Sequence, residues 1–226
     1  MEANHTLSED DITAFLRANP KFFERHPELL INMYLPSTHG GGTVSLAERQ
    51  QLSQRDKIRV LEAKMAEFLR YGEENDVISD KVHRLSLGLL AAQNFEIFSQ
   101  LLIHALHDDF QVPHVGLRLW AKPQNPTHSD DVIFSDVDTE LKTWTESLIA
   151  PYCGSRPGLE LNSWFGANAA PKSFALIALR GEKVFGLLAM AAEDEKRFYP
   201  EMGMMYLNRI GELVSAGLLS YIAPDD

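Results

Sequence analysis

Three groups of residues carry side chains suited to chemistry. His104 and His107 stand three apart, ahead of Asp108-Asp109 and with His114 beyond, a spacing that suits a metal. The apolar stripe of the same stretch runs through Phe98, Leu102 and Ala105, so both histidines fall on the opposite face of a helix and read as solvated surface. The "HDD" run lacks the further histidines at matching spacing that a metal phosphohydrolase requires. The single cysteine, Cys153, lies in "PYCGSRPG". A reactive thiolate needs a nearby cation or helix N-terminus; Arg156 is close in sequence but no histidine is. Cys153 is therefore read first as a buried structural residue at a turn, with redox or covalent chemistry as the alternative. The third group, in "HVGLRLWAK" (114–122), alternates: Val115, Leu117 and Leu119 on one face, His114, Gly116, Arg118 and Trp120 on the other. That is a strand carrying one cation and one indole on the same side.

Other motifs are incomplete. "GGGTV" (40–44) lacks the Gly-Lys-Ser/Thr ending of a phosphate loop. His83 on a helix has no kinase motif behind it, and Glu193-Asp194-Glu195 read as a solvated charge run. There is no Gly-x-Ser-x-Gly, CxxC or dinucleotide fingerprint. No catalytic constellation is complete, which leans against an enzyme, and no residue set names a cofactor.

The elements that hold these residues follow from pattern. Ser8 before "EDD" caps a short helix, Asn19-Pro20 ends it, and Pro27 opens another. The small helices of 1–36 carry Phe22, Phe23, Leu29, Leu30 and Met33, more apolar surface than they can bury alone. A Gly-rich hinge covers 37–44. Ser45 and Glu48 form a capping box for a long helix. Ile58, Leu61, Met65 and Phe68 alternate steps of three and four, a coiled-coil seam; Ile78, Val82, Leu85, Leu89 and Ala92 continue out of phase, as a stutter or break near Gly72 would produce. The alternative is a helix packed on its own domain. Asn94 caps the next helix. Strands are expected at 114–122, 131–136, "SFALIALR" and "KVFGLLAMAA", the last two joined by a two-residue "GE" loop. A helix capped by Asp138 spans 138–149, 150–172 is irregular, and an amphipathic helix closes the chain from about 200. The expected organisation is 1–44, a short-helix region with hinge; 45–93, a long linker helix; and 94–226, an α+β domain whose antiparallel sheet is flanked by helices.

Composition bounds the partners. The 226 residues carry a net charge of −11 and 45% hydrophobic residues, enough for a core and opposed to non-specific nucleic-acid binding. One cysteine permits no internal disulfide. The N-terminus lacks signal-peptide character, and no apolar run reaches membrane-spanning length. A cytoplasmic protein is expected.

The order of elements in 183–218, a Gly-containing apolar strand, an acidic loop, a Phe and a long helix, resembles the GAF fold. "ANPKFFERHPELL", "VSLAERQ", "PYCG" and "RFYPEMGMMYLNRIGELVSAGL" resemble a bacterial family, domain-of-unknown-function family 484, over nearly the whole chain. The resemblance implies short N-terminal helices, a connecting helix and a GAF-like domain, with no established activity. In a GAF-like domain one sheet face packs on helices and the other forms a ligand pocket. That would gather His114, Arg118, Trp120, Cys153, Trp164 and Phe165, Arg118 anchoring an anionic or carbonyl group between aromatic walls. The alternative is that the aromatics fill core and Arg118 pairs with a carboxylate or faces solvent. The expected function is a non-enzymatic sensory or regulatory module that binds a small molecule and forms a homodimer; the alternative is a ligand-free scaffold that binds another protein.

Overall fold

The computed structural model describes residues 7–36, 43–155, 161–166, 169–200 and 203–223. Most of the expected hinge (37–42) and Arg156 lie outside these ranges. The chain divides into two compact units, Met1–Tyr71 and Gly72–Asp226.

The first unit contains α1 (Glu9–Ala18), α2 (Phe22–Arg25), α3 (Pro27–Ile31) and a small hairpin of β1 (Tyr34–Pro36) and β2 (Thr43–Ser45). Ser8 caps α1 through a reciprocal box with Asp11, and Pro27 occupies the first turn of α3. Phe22 packs edge-on against Phe15 and Phe23. None of α1, α2 or α3 buries a residue, and Ile12, Phe15, Leu29, Ile31 and Tyr34 stay exposed.

Helix α4 (Leu46–Ala91) begins at the expected box: Glu48 N–H donates to Ser45 Oγ at 3.2 Å and Ser45 N–H to Glu48 Oε2 at 3.1 Å. It runs unbroken through Gly72. The two apolar stripes have different fates. Ile58, Leu61, Met65 and Phe68 are exposed, whereas Val82, Leu85 and Leu89 are buried in the core of the second unit. The change of phase is thus a change from exposed to buried surface along one unbroken helix rather than a break, and Val82, Leu85 and Leu89 leave the candidate dimer seam because their apolar surface is already covered by their own chain.

The second unit is built on a four-stranded antiparallel sheet in the order β3-β6-β5-β4, from β3 (His114–Leu119), β4 (Tyr152–Gly154), β5 (Ser173–Arg180) and β6 (Val184–Ala192). β6 is buried at every residue. One face packs on α4, α5 (Phe95–His104, capped by Asn94) and α7 (Met205–Leu218), around Phe98, Leu102, Leu117, Leu119, Leu188 and Val214. The other carries Leu176, Leu187, Ala189 and Ala191, covered by Leu141 of α6 (Thr139–Ser147) and by Leu161. The α7 glycines set close approaches. A Cβ on Gly217 would lie 2.4 Å from the ring of Phe98. Where β5 bulges beside Leu179, Ser215 Oγ of α7 takes the Arg180 N–H at 3.0 Å.

Three local expectations are corrected. Residues 131–136 are not a strand: Val132–Phe134 is a 3-10 turn, because Phe134 and Ser135 N–H groups bond back to Asp131 and Val132 carbonyls and are lost to any ladder. A strand missing from the expectation, β4, lies within the stretch read as irregular. The β5–β6 loop has three residues, not two, since Gly181 N–H closes on Lys183 O at 2.9 Å.

The glycine contacts predict opposite signs for two substitutions. Gly217→Val should cost about 1–3 kcal/mol by overpacking against Phe98. Gly88→Ala, with nothing within 4 Å of the new methyl, should gain about 0.5–1 kcal/mol of helix propensity. Urea midpoints decide; three coincident curves would contradict the packing described.

Candidate functional site

The alternation of β3 places its two sets of side chains on the two sheet faces, and register with β6 fixes their neighbours. Gly116 pairs with Ala189, Arg118 with Leu187 and His114 with Ala191. The small residues leave room above the sheet, and Trp164 and Phe165 enter it. A Cβ on Gly116 would sit 3.1 Å from Trp164 and 3.4 Å from Phe165, so the missing side chain is what lets the indole lie down on β3.

Arg118 stacks on that indole, its Cζ 4.9 Å from the ring centroid, a cation–π contact strengthened by partial loss of water. Its Nη1 donates to Leu117 O at 2.8 Å. Burial alone lowers its pKa from the ordinary value, though a guanidinium remains charged. Among the described residues no carboxylate pairs with it. Trp120 is half-buried on the same face and donates its Nε1–H to Val184 O at 2.9 Å. His114 Nε2 lies 2.5 Å from Glu193 Oε1, and the bond holds the Glu193 carboxyl below its usual range. The His114 ring is 6.0 Å from that of Phe165.

The structure therefore brings His114, Arg118, Trp120, Trp164 and Phe165 together. It removes Cys153 from the group. In β4, Cys153 pairs with Ala175 and points into the helix-side core, and the pleat turns Tyr152 toward the aromatic face instead. Burial pushes the Cys153 thiol up to about 11, the reverse of an activated thiolate. His104 and His107 are exposed; a π-helical turn at Ala105–Asp109 sets both on Asp108, at 3.0 and 2.6 Å. Among the described residues no group of three or more His, Cys, Asp or Glu is placed to hold a metal.

Sequence reasoning missed several members of this face. Trp144 and Tyr152 meet edge-on at 5.7 Å and join Leu141 and Leu161 in covering it. The i, i+3 spacing of Leu141 and Trp144 was the available signal. Glu193, read as solvated, is the partner of His114. Among the described residues, hollows of about 210–520 Å³ lie away from the grouped side chains; one of about 360 Å³ runs along α7 beside Ile177, Arg180 and Gly211. The aromatic face is packed by its own chain.

Residues 2–222 match the model of a family described as "Protein of unknown function, DUF484". A protein of Salmonella typhimurium (strain LT2) described as "Uncharacterized protein YigA" is 24% identical over 220 residues, 92% of this chain and 91% of the relative. Among solved structures, the GAF domain from an Acinetobacter phosphoenolpyruvate-protein phosphotransferase superposes with a TM-score of 0.44 at 12% identity, covering 62% of this chain and 92% of that one.

The buried thiol yields a chemical prediction. At pH 8 a group titrating near 11 is ionised in roughly one molecule per thousand, so Cys153 in the native protein should resist iodoacetamide for hours and react fully in denaturant. Rapid stoichiometric alkylation of the folded chain would return Cys153 to the list of reactive residues.

Proposed function

The chain belongs to the DUF484 family, and from that premise we propose a non-enzymatic, GAF-like sensory or regulatory module. It holds a small anionic or carbonyl-bearing molecule on the aromatic face of its sheet and dimerises through its N-terminal helices. One observation carries the ligand reading: Arg118 is a partly desolvated cation stacked on Trp164, with no carboxylate partner among the described residues. A cation withdrawn from water without a counter-charge is a standing site for an acceptor. Trp120, Trp164 and Phe165 supply the apolar walls that small-molecule sites use.

The face is closed in this structure by Trp164 and Phe165. A ligand therefore competes with this segment for Arg118, and binding displaces the indole from above Gly116. Occupancy becomes a change in what covers the sheet. Such a switch works only to the extent that the ligand prefers the open arrangement.

A scaffold that recruits another protein without a ligand is the second reading. It is favoured by the same filled face: the Trp120 N–H is satisfied by Val184 O, and the aromatics pack on one another.

Native mass spectrometry of gently purified protein separates the two. The ligand reading expects extra small-molecule mass on the wild-type chain, lost on denaturation. Arg118→Ala, with unchanged circular dichroism, should bind roughly 10- to 100-fold more weakly, matching the 1.5–3 kcal/mol typical of a hydrogen bond to a charged group. Bare polypeptide mass for both proteins would favour the scaffold.

A further inference from the structure

The exposed stripe of α4 has a register, and the register specifies an occupant. Ile58, Leu61, Met65 and Phe68 are 51%, 64%, 64% and 71% exposed. They occupy alternate a and d positions of a heptad, with Ile58 and Met65 at a and Leu61 and Phe68 at d. A β-branched residue at a with Leu at d is the pairing that favours two parallel strands. Met65, unbranched, adapts to whatever space its neighbours leave.

The flanking charges choose the direction. Lys57 and Lys64 fall at g, and Glu62 at e. In a parallel, in-register pair each g side chain meets the e side chain five residues on in the partner helix. Lys57 then meets Glu62 of the other copy, once on each side of the seam. Lys64 meets Leu69, over whose apolar surface its methylene stem can lie. In an antiparallel pair g faces g, and the lysines oppose one another. Within one helix, residues five apart do not face each other, and neither Lys57 nor Glu62 has an ion-pair partner among the described residues. Both are free to meet a second chain.

We infer that a second copy of this chain covers the stripe as a parallel, in-register two-stranded coiled coil, with Ile58, Leu61, Met65 and Phe68 as its seam and Lys57–Glu62 pairs between the copies as its direction lock. The inference rests on the dimer part of the reading above and adds to it a geometry.

The test uses the full-length chain. Sedimentation velocity gives the oligomeric state, and cysteine crosslinking gives the direction. In a Cys153→Ala background, Ile58→Cys and Phe68→Cys should each oxidise to a disulfide-linked dimer on their own. If neither crosslinks alone but a mixture of the two does, the helices are antiparallel: the geometry falls and dimerisation stands. A monomer at every concentration, for the wild-type chain, overturns both. The charge lock has its own readout. Lys57→Glu and Glu62→Lys should each raise the dimer dissociation constant roughly 3- to 10-fold, as loss of two exposed pairs allows, and K57E/E62K together should restore it. Equal affinities in all four proteins would remove the lock from the argument and overturn the assigned register.

Discussion

A strand buried along its whole length must be covered on both sides, and β6 is such a strand. That requirement organises the second unit. Helices α4, α5 and α7 supply one cover, and their apolar stripes are wide enough for it. The other cover is made from less regular material: α6 and the segment around a single 3-10 turn that carries Leu161, Trp164 and Phe165. Large rings achieve there what a helix does on the opposite side, and Gly116 is the concession that lets them seat. Arg118 is drawn into this second cover because alternation leaves it no other face. Its partial burial is thus a consequence of the sheet's need for two layers.

The strongest periodicities were legible. The alternation of 114–120 sorted its seven residues correctly between the two faces, because one strand with one buried side enforces a period of two. The capping residues Ser8, Ser45 and Asn94 were legible because a cap is a local bond between near neighbours. What could not be read were features decided at a distance. β4 is three residues long and exists because β5 offers it an edge; nothing within "YCG" announces it. The same pairing turned Cys153 away from the group it was expected to join. Residues 131–136 show the reverse case, in which local turn bonds took donors that the apolar pattern had assigned to a sheet.

The long helix illustrates a subtler limit. Its two stripes were visible as a slip of phase, and a slip has two physical causes: a break in the helix, or one intact helix with different neighbours at its two ends. The sequence contains the phase and not the neighbours. In the structure the backbone hydrogen bonds run on through Gly72, and the second stripe meets Phe98 and the sheet. A glycine with nothing within 4 Å weakens a helix without ending it.

The chain has three tryptophans, and Trp120, Trp144 and Trp164 all pack against the cluster on the aromatic face. None belongs to the helix-side core. The molecule therefore carries its own optical probe, blind to one side. Its ultraviolet emission reports the polarity above Gly116 and Arg118, while rearrangements among α4, α5 and α7 pass unrecorded. A spectral shift without a change in helical signal would locate an event to a single layer of the domain, with no label attached.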